Sequence, residues 1–424
     1  MQRWLKFVKY LPDFSIDPVV YTARDANYAL EDKSLLEEVR EEQEVILGSI
    51  REPNQLLHPF SRNKGVSAGF LDENPGFVQR MLNYIRANVF LPDARMLWIR
   101  PSVKVLSAYL ETNRVDAVIT TGPPHSVHLI GRALKDRFGI PWISDFRDPW
   151  TNIDYFHSLP LTNRSKRRHA ELERKVLEES DAVIVVGRSM KKEFSRFSEQ
   201  VYVIPNGFDD YPDQAVASVL PGFSLTHIGL MNADRNPKIL WKALQELIVE
   251  SDAFASDLRV RLIGKCSVEV EESIREYGLQ DHVELIDYLP HREVMRYQIS
   301  SQVLLLCVNR VPSAPSVVTG KVFEYLQAGR PILGIGPPDG DLAAILEETA
   351  SGIMVDFEDK ERLKTELREL YAAYLQGRLS VAPKGLEKYH RRNLTRDLAE
   401  LIQRVAGPLK SRQEEKENHG KRIH

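Results

Sequence analysis

Apolar residues along the chain fall into short runs separated by longer stretches in which they recur every three or four positions. From Asp116 the order is DAVITT, the amphipathic HLIGRALKDRFG, PWISDF, a long charged helix and DAVIVV. Short β-favouring runs alternating with helix-period stretches predict parallel βαβ units. After VYVIPNG the alternation restarts with FSLTHIG, the helix PKILWKALQELIVE, LRVRLIG, a helix through EESIREYG and VELIDYL. It continues with the helix HREVMRYQIS, SQVLLLCV, the helix GKVFEYLQAG and PILGIG. Residues 206–222 between the two series are rich in Asp, Pro and Gly, which predicts a linker. The expected architecture is α/β: two doubly wound Rossmann-like domains, 1–205 and 223–384, whose parallel sheets face across a cleft. Residues 385–406 read as a last helix packing back on the first domain, and 407–424 as a disordered, charged tail.

The start departs from this rhythm. MQRWLKFVKYLP reads as an amphipathic helix with Trp4, Leu5, Phe7, Val8 and Leu11 near one side, followed by the strand PVVYT. A doubly wound domain ordinarily opens on a strand and a tight phosphate-facing turn, so the first domain is expected to lack its first strand.

Composition narrows the function. A length of 424 residues exceeds what one core usually serves, and 43% hydrophobic against 28% charged residues supports a packed core in both halves. The net charge of -3 offers no global field for polyanions, so nucleic acid is not expected as a partner and any basic site is local. Cys266 and Cys307 are the only cysteines, which excludes a disulfide scaffold, matches no zinc spacing and points to a reducing, cytoplasmic setting. No apolar run approaches the roughly 18 residues of a membrane span.

The strongest local cluster is VVTGKVFEYLQAGRPILGIG, where a Gly-containing loop enters a helix. Thr319, Gly320 and Lys321 at such an entry suit a diphosphate, and Glu324 one turn inside suits a ribose diol. An ordinary capped helix with a solvated Lys and Glu is the competing reading. In HIGLMNADRNP the strand ends at Gly229 and leads to Arg235, at the edge where open α/β sheets bind ligands. A guanidinium there neutralises a departing diphosphate; otherwise Arg235 caps a neighbouring loop. Lys265 follows the next strand, and Tyr288 and Leu289 end a third at the same edge, where backbone groups can read a base. In the first domain TTGPPHS and DFRDPW place His125, Asp145, Arg147 and Asp148 at strand ends facing the cleft, unless His125 caps its own helix and Arg147 pairs with Asp148. The cation-rich NRSKRRHAELERK is either a solvated face or, with the exposed-looking helix of Trp4, Lys6 and Lys9, a peripheral contact with an anionic membrane.

These segments together resemble the GT-B glycosyltransferases of the family 4 type, the group found in bacterial cell-surface polysaccharide gene sets. The carriers are QRWLKFVKYLP, TTGPPHS, PWISDFRDPW, ELERKVLEESDAVIVV, VIPNGFD, HIGLMNADRNP and above all GKVFEYLQAGRPIL. The resemblance implies transfer from a nucleoside-diphosphate sugar to a hydroxyl of a glycan or lipid-linked acceptor, with retention and without metal or cofactor. It assigns the donor ribose to Glu324, the diphosphate to Arg235 with Lys321, and the approach to the donor sugar to His125. Many members carry another glutamate eight positions before the ribose-binding one, and here Ser316 stands there. Relatives have a strand and a Pro/Gly-rich turn before the segment matching QRWLKFVKYLP, so a shortened start and weakened activity are also expected. The rival expectations are a nucleotide-sugar epimerase of the same fold and a non-catalytic scaffold.

Overall fold

The computed structural model describes residues 2–24, 33–50, 76–153, 156, 158–210, 219 and 221–407. Most of the expected linker and all but Gly407 of the expected tail lie outside the described residues. A parallel pair, β1 (Val20–Ala23) and β2 (Val45–Gly48), stands apart from the two larger sheets. The first of these takes the order β3 (Val118–Gly122), β4 (Trp142–Phe146), β5 (Ala182–Val185), β6 (Val201–Val203), parallel throughout. The second comprises β7 (Phe223–Ile228), β8 (Leu258–Ile263), β9 (Val283–Ile286), β10 (Val303–Cys307), β11 (Ile332–Ile335) and β12 (Gly352–Val355). Its spatial order is β12-β11-β10-β7-β8-β9, again parallel, which is the doubly wound arrangement.

The near-continuous apolar character of these strands follows from burial on both faces, since helices cover a parallel sheet on either side. WISDF, AVIV, FSLTHI and VLLLC are buried at every position. Trp142 anchors the first core and Trp241, with Phe223 and Phe254, the second.

The opening helix, Gln2–Tyr10, is not the exposed surface its sequence suggested. Phe7 and Leu11 are buried with Leu394, Leu398, Leu401 and Ile402 of the last helix, Arg391–Ala406, and with Ile143 and Ile184 of the first sheet. The two helices thus share one apolar seam, and Arg3 and Lys6 are buried beside it. The last helix is shorter than expected: Leu386–Tyr389 form a 3-10 turn, and the His390 side chain then caps the helix at the Arg392 N–H. Where the chain returns, Phe208 N–H donates to Tyr389 O at 3.1 Å and Arg391 N–H to Phe208 O at 2.9 Å. Gly207 permits this approach, because a Cβ there would meet Tyr389 O at 2.2 Å. Asp209 adds ion pairs to Lys6 at 2.7 Å and Arg391 at 3.1 Å. The domains also touch at a second place, where the Asp341 carboxylate accepts from the Ser189 N–H at 3.0 Å and from its hydroxyl at 3.0 Å.

Candidate functional site

In the second sheet the strand order reverses between β7 and β10, the place where open parallel sheets bind ligands. The ladder between them closes over two pairs, Leu225 with Val303 and Thr226 with Leu304. Beyond it the Ile228 N–H donates to the Tyr325 hydroxyl at 3.0 Å. Tyr325 is fully buried in helix Lys321–Gln327, so this bond seats the helix against the end of β7. Lys321 and Glu324, three residues apart, share one side of it.

Gly229, directly after β7, has φ +115°, and a Cβ there would lie 2.1 Å from Lys321 Nζ. Only glycine leaves that space to the ammonium. Gly264, after β8, has φ +117° and packs its α-carbon side against the Gly229 backbone. Burial pushes the Lys321 ammonium down to about 8, and the nearby Arg235 charge adds to this, while Cys307 and Glu324 oppose it. Arg235 is held in the loop by donating to Leu230 O at 2.7 Å, and its N–H is capped by Asn232 Oδ1 at 3.2 Å. Two cations sharing a half-buried edge repel each other, and a dianionic ligand between them relieves both. Gly229→Ala forces a Cβ into a left-handed conformation and displaces the ammonium. It should cost about 1–3 kcal/mol of stability and weaken anion binding at this edge; an unchanged urea midpoint and unchanged pyrophosphate affinity would refute the placement.

The Glu324 carboxylate accepts from Gln298 Nε2 at 3.0 Å, and Gln298 is itself fully buried, so its orientation is fixed from behind. Glu324, Thr319 and Gly320 line a cavity of about 650 Å³ between the domains, within the range of about 300–1,000 Å³ typical of small-molecule sites. Ser313, Ser316, Val317 and Val318 extend this wall, while Arg3, Arg147, Asp148, Asn152 and Asn206 face it from the first domain. Ser316 carries no charge into the cavity; its hydroxyl donates to Ser313 O at 2.8 Å. Lys265 is exposed after β8, and Tyr288, 73% exposed, and Leu289 lie in the loop beyond β9, which ends at Ile286 instead of at Leu289 as expected.

Of the four first-domain candidates, Arg147 and Asp148 reach the cavity wall. The Arg147 guanidinium is steadied by the Gly122 carbonyl at 3.2 Å and by the Pro123 carbonyl. Asp145 does not reach the cleft: its carboxylate is fully buried, accepting from Arg3 at 3.1 Å, Trp4 Nε1 at 2.6 Å and Thr121 Oγ1 at 2.8 Å. His125 is buried behind the wall, its ring stacked on Trp150 at 4.8 Å, and it does not cap its own helix. Burial keeps the His125 imidazole neutral, with His128 and Arg147 adding to the effect. Sequence reasoning missed Arg3, Asn152, Asn206 and Arg391 on the cavity wall, and Gln298 behind Glu324. Arg3, Asn206, Arg391 and Gln298 come from elements distant in sequence from the motifs that carry the site candidates, so no local spacing signalled them, whereas Asn152 stands two positions beyond DFRDPW and lay within reach of that motif.

Burial also lowers His128 to about 3, His227 to about 3 and His169 to about 4. In the unfolded chain these groups take up protons near pH 6.5, so the unfolded state binds more protons below that pH. Stability should therefore fall as pH drops from about 6.5 towards 4, each neutral histidine steepening the slope by up to about 1.4 kcal/mol per pH unit. Urea titrations at pH 7, 6, 5 and 4 that show no decline would contradict this.

Residues 66–210 match the Glycosyltransferase Family 4 model and residues 222–373 match Glycosyl transferases group 1. A search of curated proteins finds no match. Among solved structures, sucrose-phosphate synthase from Thermosynechococcus elongatus superposes with a TM-score of 0.54 at 17% identity, covering 73% of this chain and 78% of that one. The lipopolysaccharide outer core galactosyltransferase WaaB, in its apo form, gives 0.55 at 12% identity over 95% of this chain and 94% of that one. TarM from S. aureus, in complex with fondaparinux, α-GlcNAc-glycerol and UDP, gives 0.50 at 11% identity over 73% and 59%. At these identities the likeness is one of fold.

Proposed function

The chain belongs to the GT-B glycosyltransferases, and from that premise we propose that it moves a sugar from a nucleoside-diphosphate donor to a hydroxyl of a glycan or lipid-linked acceptor. The observation that carries the reading is the Glu324 carboxylate, held by Gln298 on the wall of the interdomain cavity, with the Lys321 ammonium over Gly229 one helical turn before it.

In this reading the diphosphate lies against Lys321 and Arg235, Glu324 holds the ribose diol, and the sugar projects towards Arg147 and Asp148. The bond between the anomeric carbon and the diphosphate oxygen breaks as the acceptor oxygen forms its bond to the same carbon. The acceptor proton passes to the departing phosphate, and configuration at the anomeric carbon is retained. Fixed cations act where negative charge grows on the leaving group, which is where preorganised electrostatics lowers a barrier most. The neutralisation is assigned to Lys321 and Arg235, with no metal or organic cofactor invoked. UDP in the TarM complex and the galactosyltransferase named among the similar folds support a nucleotide-sugar donor. A role in surface polysaccharide or glycolipid synthesis is part of the same proposal.

The test is thermal stability of the protein titrated with UDP-, GDP- and ADP-sugars, in parallel with Glu324→Ala. A donor at about 100 times its Kd adds about 2.7 kcal/mol to the folded state, a midpoint rise of several degrees, and Glu324→Ala should abolish it. No shift with any donor would sink the donor site in favour of a scaffold. Epimer formation in the absence of acceptor would favour an epimerase.

A further inference from the structure

The first-domain wall of the interdomain cavity carries three guanidinium groups, and two of them are already matched. Arg3 pairs with Asp145 and Arg391 with Asp209, each at 3.1 Å. Arg147 is the third. Asp148 lines the same wall, yet no ion pair joins Arg147 to a carboxylate among the described residues. The second-domain wall from Ser313 to Gly320 brings no charge to meet it.

This guanidinium is held in one orientation. Arg147 directly follows β4, which is buried at every position. Its Nε donates to the Gly122 carbonyl at 3.2 Å and its Nη2 to the Pro123 carbonyl. The turn beyond it is fastened from behind, where the Glu173 carboxylate, 7% exposed, accepts from the Trp150 N–H at 3.1 Å and the Thr151 N–H at 3.2 Å. With the Nε edge given to two carbonyls, Nη1 and the second hydrogen of Nη2 remain. Those two N–H bonds form the planar fork that fits both oxygens of a carboxylate.

We infer that the transferred sugar is acidic, a uronic acid whose carboxylate binds end-on to Arg147. The inference rests on the donor reading, in which the diphosphate takes Lys321 and Arg235, the ribose takes Glu324, and the sugar points at this wall. A sugar hydroxyl at the fork makes a single hydrogen bond and leaves the cation unmatched. A carboxylate makes two charge-assisted bonds, and nothing else on the wall repays the loss of its water.

Isothermal titration of the full chain tests it with paired donors: UDP-glucose against UDP-glucuronate, UDP-galactose against UDP-galacturonate, GDP-mannose against GDP-mannuronate and ADP-glucose against ADP-glucuronate. For the nucleotide the protein accepts, a uronate should bind about 10–100-fold more tightly than its neutral counterpart. Arg147→Gln should erase that ratio and leave the affinity for the bare nucleoside diphosphate unchanged, and Arg147→Lys, which keeps the charge without the fork, should retain part of it. The comparison within the parent chain decides even if a variant fails to fold. Equal affinity within every pair, a preference for the neutral sugars, or a uronate preference that survives Arg147→Gln would overturn the inference while UDP, GDP or ADP binding left the donor reading standing. No binding of any of these nucleotides would overturn both. Binding of sn-glycerol 3-phosphate to the nucleotide-loaded protein, lost in Arg147→Gln, would give the guanidinium to an acceptor phosphate and overturn it as well.

Discussion

Lys321→Met should lower kcat/KM for glycosyl transfer by about 10²–10³-fold, the loss that follows removal of one preorganised group stabilising a developing anion. Methionine keeps much of the stem that fills the space over Gly229 and removes only the charge, so the fold should survive. The pH profile adds a sharper expectation. In the free protein this ammonium loses its proton near pH 8, well below the ordinary lysine value, because burial and Arg235 disfavour the charge. A diphosphate stabilises the charged form, so donor affinity should fall by up to tenfold per pH unit above about 8. The stability of the unliganded chain should run the opposite way. Between pH 8 and the ordinary lysine range the unfolded chain holds a proton the folded one has released, so this group favours folding as pH rises. Isothermal titration with the donor from pH 7 to 9.5 checks the affinity, and urea unfolding of the unliganded chain over the same range checks the stability; a flat affinity profile, or a Lys321→Met enzyme within fivefold of the parent, would remove Lys321 from the reaction.

Asp145→Ala should destabilise the first domain by about 3–5 kcal/mol, the range for removing one member of a buried ion pair. The carboxylate joins the opening helix to the middle of the sheet through Arg3 and Trp4, and to the neighbouring strand through Thr121. Without it the Arg3 guanidinium stays buried, keeping among the described residues the Ile204 and Pro205 carbonyls, Asn206 and the Phe7 ring but no counter-charge. Asp145→Asn, which keeps an oxygen acceptor, should lose less. Equilibrium urea unfolding reads the difference, and a loss below about 1 kcal/mol for the alanine variant would mean that the ion pair contributes little.

Both sheets are legible in the sequence because parallel strands buried on two faces leave unbroken apolar runs, as in AVIV and VLLLC. The pairing of Lys321 with Glu324 is legible for a related reason: one short loop-helix segment carries both. What pairs across the fold is not legible. Asp145 reads as a cleft residue because it ends an apolar strand, yet its fate is set by Arg3, 142 positions earlier. The opening helix reads as exposed because its polar side is obvious and the apolar partner for its other side lies nearly four hundred residues away. His125 occupies a loop at a strand end, but Trp150 closes over it. Local pattern reports which side of an element is apolar; it does not report what will cover that side.

The return of the chain at Phe208 and His390 has a mechanical meaning. Outgoing and incoming strands are stitched together by two backbone hydrogen bonds, and Asp209 fastens both to the opening helix. Two crossings fixed side by side resist twisting and sliding of one domain on the other, because either would break the bonds between them. The bonds from Ser189 to Asp341 tie the same two domains at a second, separate place, so the walls of the interdomain cavity are held in register from two sides.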